Sequence, residues 1–266
     1  MSEKTKLTPP LKWAGGKRWL VPLLAELYHG HHKKRFVEPF CGGMAPSLGL
    51  QPHIALLNDF NYHLINFYRQ IKMHGLMRGQ YPSFPWVYDK EIYYQCREQF
   101  NNLIKHNQQG TREAAQLFYY LNRTCFNGLC RFNAKGFFNV PFGQYTTVNF
   151  ASSFKEYQSA FKHWTFENRD FEHIDIQSDD FIYADPPYDV VFTTYSAGGF
   201  SWNDQVRLFH WLMKHPGPVV ISNQATKRII DLYKAEFDIT LLDGPRRISR
   251  TGDRTPAKEM LATRNL

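Results

Sequence analysis

The sequence predicts a doubly wound α/β fold, a mostly parallel sheet with helices on both faces, interrupted by a mainly helical insertion. Three observations predict it. Short apolar runs that suit buried parallel strands recur along the chain. Patterns of helical period separate several of them. Between about Gly75 and Val148 this alternation stops.

The strand runs, in order, are RFVEPF (35–40), HIALLND (53–59), HWTFEN (163–168), FIYAD (181–185) and PVVISN (218–223). Residues 16–29 read as an amphipathic helix after a Gly-Gly, residues 60–73 as a second, and NDQVRLFHWLMKH (203–215) as a third, opening on Ser201 or Asn203 as a cap. Two late segments, FDITLLDG and EMLATR, read as a terminal hairpin with the basic stretch 244–258 as its long loop. The insertion holds the helical patterns EIYYQCREQFNNLIKHN and REAAQLFYYLNR. TCFNGLCRFNAKGFFNVPFGQY follows, rich in Gly, Asn and aromatics, and reads as ordered loop. In such a sheet a ligand binds in the crevice at the carboxyl ends of the strands.

With 266 residues, 43% of them hydrophobic, the chain can bury one large core or a core domain with a smaller one appended. Its four cysteines form neither a CxxC pair nor a disulfide framework, which predicts a reducing compartment and no structural zinc. HGHHKKR lacks paired thiols or an HExxH helix and reads as a solvated basic turn, so no metal is expected. No run approaches about 18 apolar residues and the start lacks an apolar leader core, so a soluble intracellular protein is expected. A formal charge of +8 suits a polyanionic partner. The charge gathers at KKR (33–35), at Lys12, Lys17 and Arg18, and at RRISR (246–250) with Arg254 and Lys258.

Four motifs carry chemistry. In FVEPFCGGMA a strand ends at Val37, an acid and a proline follow, and Gly42-Gly43 allow close backbone approach before a helix. That layout suits a nucleoside cofactor, and without GxGxxG it suits one lacking phosphates. LLND ends the next strand at Asp59, where an acid commonly accepts hydrogen bonds from ribose hydroxyls. LKWAGGK (11–17) is a flexible turn that offers an aromatic wall and two ammonium groups. DPPY (185–188) follows a buried strand run, and its two prolines cannot continue a ladder, so it holds a rigid shape. Each of its parts answers a need of methylating an exocyclic amine. Such a nitrogen is a poor nucleophile until acceptors pull its N–H groups out of the ring plane. Asp185 and the Pro186 carbonyl can be those acceptors, Pro187 helps fix the carbonyl direction, and Tyr188 offers a face for stacking.

LKWAGGK, FVEPFCGG, LND, YLNRTCFNGLCRFNAKGFFNVPFG and DPPYD, in this order, resemble the Dam-type (D12 class, α-group) DNA adenine-N6 methyltransferases. The likeness runs from about Leu11 to Thr263. It implies a Rossmann-like methyltransferase sheet built from residues 1–74 and 149–266, with 75–148 as an inserted, mainly helical target-recognition domain. It implies S-adenosylmethionine as cofactor, held by Trp13, Lys17, Glu38, Phe40, Gly42 and Asp59, by Asp170 and Phe171 around the adenine, and bordered by Asp185. Asp185, Pro186, Pro187 and Tyr188 would then act on an adenine turned out of duplex DNA.

The resemblance also implies DNA contacts. Phe126 is expected to wedge between base pairs, Asn127 to support the opened helix, Leu129 to meet a thymine methyl, and Arg131 to read a guanine. Lys12 is expected at another guanine, Pro141 at a base edge, and Arg246, Arg247 and Arg250 at phosphates. Many family members have tyrosine at the wedge; Phe126 keeps the stacking face and loses a hydroxyl. The implied target is GATC, and the implied setting is the nucleoid of a prokaryotic cytoplasm, with a monomer as the default. A non-catalytic DNA-binding relative, and an amino-methyltransferase acting on cytosine N4 or RNA, stay open at this point.

Overall fold

The computed structural model describes residues 7–75, 86–189, 199–245 and 257–266. Five parallel strands form the frame: β1 (Phe36–Glu38), β2 (Ala55–Asn58), β3 (Trp164–Glu167), β4 (Phe181–Ala184) and β5 (Val219–Gln224). β6 (Asp238–Gly244) and β7 (Ala257–Arg264) complete a seven-stranded sheet in the order β3-β2-β1-β4-β5-β7-β6, with β7 antiparallel to both neighbours. All five parallel runs and the late hairpin read from the sequence are present.

Every residue of β1, β2 and β4 is buried, as a sheet covered on both faces requires. Successive side chains point to opposite faces, so Phe36, Leu57 and Tyr183 join one core while Val37, Leu56, Ile182 and Ala184 join the other. The first core is covered by α1 (Val21–Tyr28), α2 (Ala45–Leu50), α3 (Tyr62–His74), α4 (Lys90–Lys105), α5 (Arg112–Thr124) and α6 (Lys155–Ala160). The second is covered by α7 (Trp202–Met213) and α8 (Lys227–Tyr233).

The helix expected over 16–29 is shorter. Residues 17–20 form a turn in which Leu20 N–H donates to the Lys17 carbonyl at 3.0 Å. Pro22 lies in the first turn of α1, the place where a missing N–H costs nothing. Ser201 does cap α7, in a reciprocal capping box with Asp204. Asn61 caps α3, and Gly75 ends it in the left-handed region at φ 68°.

Residues 125–142 fold back as a hairpin, with bridges pairing Cys125 with Phe142 and Phe132 with Phe138. α4 anchors it: Tyr93 donates its hydroxyl to the Val140 carbonyl at 2.7 Å, and Asn101 bonds both the N–H and the carbonyl of Phe138. Rings from α3, α5 and the segment beyond share one core, where Phe67 stacks on Tyr119 at 5.6 Å and meets Phe154 at 5.9 Å. Among the described residues no helix is long and apolar enough to cross a membrane.

Candidate functional site

The strand order reverses between β1 and β4, and a crevice outside their carboxyl ends is where such sheets take ligands. Glu38 ends β1 and Asp185 follows β4, so both acids stand at this point. Asp185 is held through one oxygen: Oδ1 lies 2.9 Å from Lys17 Nζ and accepts from Ser222 Oγ at 3.0 Å. The Ser222 hydroxyl in turn lies 2.8 Å from the buried Tyr183 hydroxyl, so a polar chain runs from inside the sheet to the carboxylate. Gln205 Nε2 donates to the Pro187 carbonyl at 2.9 Å, and Asn223 Nδ2 donates to Gln205 Oε1 at 3.0 Å. The rigid turn predicted from two prolines is thus also tied to α7 and β5.

Lys17 is only 2% exposed. Its ammonium donates to the Tyr188 hydroxyl at 2.6 Å and stands 3.8 Å from Glu259 Oε2, while the Tyr188 hydroxyl donates to Glu259 Oε1. Burial, with the charges of Asp185 and Glu259 beside it, pushes the Tyr188 phenol far above its ordinary range. Burial raises the Glu259 carboxyl as well, against the opposing pull of Lys17.

The neighbouring loop is acidic and tightly tied. Burial, reinforced by the charges of Asp185 and Asp59, raises the Glu38 carboxyl well above the carboxylate range, and Ser47 donates its hydroxyl to Glu38 Oε2. Asp59 accepts from the Gly42 N–H at 3.0 Å and the Asn61 N–H at 2.9 Å, and burial brings its pKa to about 6. Gly42 has φ 43°, and a Cβ there would come within 2.7 Å of Trp13 Nε1. Only glycine lets the indole lie against this turn. Asn58 clamps the next loop to the first, donating to the carbonyls of Pro39 at 2.9 Å and Arg169 at 3.0 Å.

Phe40, Phe171 and Phe200 form an aromatic wall, with ring centres 5.5 to 6.1 Å apart. Arg207 lies over Phe171 at 5.0 Å and pairs with Asp170 at 2.8 Å, Glu172 at 2.6 Å and Asp204 at 2.7 Å. Phe60, next to Asp59 at the end of β2, keeps 69% of its surface exposed.

The hairpin brings the second group of residues together. Phe126 is 46% exposed on a tight turn, Asn127 adopts the left-handed region at φ 52°, and Phe126 N–H donates to the Pro141 carbonyl at 2.9 Å. Asn139 grips the exposed Arg131 guanidinium through Nε at 2.8 Å and Nη2 at 3.2 Å, which fixes its plane. Leu129 is half-buried behind the turn. Lys12 sits against Gly128, where an added Cβ would meet the lysine Cβ at 2.3 Å, and its ammonium lies 3.4 Å over the Tyr145 ring. Burial, helped by the Arg123 charge, lowers the Lys12 pKa to about 8. Asn122 binds the Lys12 N–H and carbonyl, each at 2.8 Å, and the Gly128 carbonyl at 3.1 Å. Arg246, Arg247 and Arg250 lie outside the described residues.

Sequence reasoning missed Ser222, Asn223, Gln205, Asn122, Arg207 and Glu259. The signal that could have found the first two was polar character at the end of the otherwise apolar run PVVISN. Among the described residues no three His, Cys, Asp or Glu side chains group as a metal site.

Comparison with known proteins shows the family. Residues 13–248 match the family described as D12 class N6 adenine-specific DNA methyltransferase. The chain is 35% identical to the type II methyltransferase M1.LlaDCHI of Lactococcus lactis subsp. cremoris, over 91% of this chain and 90% of that one. It is 35% identical to a DNA adenine methylase of Vibrio cholerae serotype O1, over 95% and 94%. It is 31% identical to the type II methyltransferase M.MjaIII of Methanocaldococcus jannaschii, over 94% and 95%. The chain therefore belongs to the D12 class of N6 adenine-specific DNA methyltransferases.

Proposed function

We propose that this chain moves the methyl group of S-adenosylmethionine to the N6 amine of an adenine turned out of duplex DNA, within the sequence GATC. The observation that carries the reading is the attachment of Asp185. Lys17 and Ser222 both bind its Oδ1, so the carboxylate is oriented before substrate arrives and Oδ2 is assigned to the target amine. With the Pro186 carbonyl as second acceptor, the amine lone pair leaves conjugation with the ring and faces the methyl donor.

Two acidic side chains and an aromatic wall, beside a turn whose sequence lacks GxGxxG, fit a nucleoside without phosphates. Trp13, Lys17, Glu38, Phe40, Gly42, Asp59, Asp170 and Phe171 would border it. S-adenosylmethionine supplies an electrophilic methyl on a sulfonium sulfur; the chain binds, orients and excludes water. Asp59, at the end of β2, is assigned to the ribose hydroxyls. Because its carboxyl titrates near 6 and hydroxyl donors favour the ionised form, cofactor affinity is expected to rise between pH 5 and 7. Calorimetric titration checks this, and Asp59→Asn should flatten the profile.

We assign residues 75–148 to target recognition. Phe126 would enter the base stack with Asn127 beside it, Leu129 and Pro141 would meet base edges, and Lys12 and Arg131 would read guanines. Arg246, Arg247 and Arg250 are assigned to phosphates. Arg131→Ala should relax discrimination at one base pair by about 1–3 kcal/mol. Transfer rates on duplexes substituted at each position measure that; an equal loss on all of them would contradict base reading.

The test of the whole reading is transfer of labelled methyl to two matched duplexes, one with a single GATC and one with its A·T pair replaced. Label on the first alone, recovered as N6-methyladenine, is expected. Label on both keeps the enzyme and discards the target; N4-methylcytosine, or label in RNA alone, discards the adenine assignment.

A further inference from the structure

We propose that Glu259 on β7 is a positioning residue for methyl transfer, setting the Tyr188 ring through its hydroxyl and sharing the Lys17 ammonium so that Asp185 can accept the target amine. The inference rests on the roles proposed above for Asp185 and Tyr188.

Glu259 is not on a loop. It pairs with Gln224 of β5 on one side and Leu242 of β6 on the other, so the sheet fixes where its side chain starts. The Tyr188 hydroxyl accepts from Lys17 and donates to Glu259. With both functions taken, the phenol cannot swing without leaving buried groups unpaired, which costs more than the bonds themselves contribute. A ring whose rotation is stopped at its far end presents one fixed face to a base.

Lys17 supplies the second half of the argument. An ammonium paired with Asp185 alone would hold that carboxylate tightly and compete with the weakly acidic N–H of an exocyclic amine. Here a second carboxylate stands 3.8 Å away, and its Oε2 is buried with no hydrogen-bond partner among the described residues. Lys17 can therefore lean towards Glu259 as Asp185 takes up the amine. Among the described residues, the charged or titratable groups facing Glu259 are Lys17, from the segment before α1, and Asp185 and Tyr188, from the segment after β4. Its cross-strand neighbours Gln224 and Leu242 are uncharged.

A simple counter-charge for Lys17 would affect stability and binding alike. Positioning predicts a different pattern in the full chain. Glu259→Gln should lower kcat about 10- to 100-fold, with KM for S-adenosylmethionine and DNA within about two-fold. Glu259→Asp should recover part of the loss, and Glu259→Gln with Tyr188→Phe should be no slower than the slower single variant. A duplex with 2-aminopurine at the target adenine should fluoresce more brightly with Glu259→Gln, because the flipped base stacks less well.

Wild-type kcat in Glu259→Gln, or fully multiplicative losses in the double variant, overturns the inference while an inactive Asp185→Ala leaves the site reading standing. An active Asp185→Ala overturns both. If Glu259→Gln fails to unfold cooperatively, Tyr188→Phe decides: an unchanged kcat and unchanged 2-aminopurine signal overturn the proposal, and a loss in both supports it.

Discussion

Asp185→Ala is expected to slow methyl transfer about 10³-fold or more, the scale on which preorganised polar groups act at a reacting centre. The carboxylate is the only part of DPPY whose charge can polarise an N–H, and its Oδ1 is already committed to Lys17 and Ser222. Cofactor affinity should weaken far less, since the other acids assigned to the cofactor lie elsewhere, Glu38 ending β1 and Asp59 following β2. Asp185→Asn keeps the shape but loses the charge, and its rate should fall between the two. Single-turnover transfer of labelled methyl to a GATC duplex, beside a calorimetric titration of cofactor, separates the effects. Turnover within about tenfold of wild type in Asp185→Ala would contradict the assigned role.

Lys17→Met has the second large effect, and it falls on stability. Methionine keeps the stem and removes the ammonium from between two carboxylates and a phenol. Breaking a buried ion pair by deleting one partner costs about 3–5 kcal/mol, and the lower end applies because Asp185 keeps 19% exposure. The deficit should depend on pH. Glu259 already has its carboxyl raised by burial with Lys17 present, and without Lys17 it rises further. A carboxyl raised in the folded state favours folding when protonated, so that contribution is present at acid pH and is lost as pH climbs through the folded value. Lys17→Met should therefore lie closer to wild type at pH 5 than at pH 8 in urea unfolding. An equal deficit at both would show that Glu259 is not the group left without its counter-charge.

The strand core was legible because parallel strands covered on both faces read as unbroken apolar runs: HIALLND contains β2 and FIYAD contains β4. The start of α1 was not, since Lys17 to Leu20 continue an amphipathic pattern and only Pro22 marks where the backbone becomes helical. α6 and α8 passed unnoticed because six or seven residues hold too few turns to establish a period. At the site, DPPY stood out because proline and acid cannot extend a buried ladder. Ser222 and Glu259 stood out less, because polar character in a strand does not by itself say whether the side chain meets water or a partner. Their partners are remote: Tyr188 lies 171 residues from Lys17 and 71 from Glu259.

That separation has a consequence for biosynthesis. β7 lies between β5 and β6 and carries Glu259, so the ribosome must pass Arg264 before the sheet closes around Lys17. At roughly 5–20 residues per second, Lys17 waits about ten seconds or longer for its second carboxylate. A nascent chain can fold its first core while it is still tethered, but the Lys17–Glu259 pair forms only after β7 has been made.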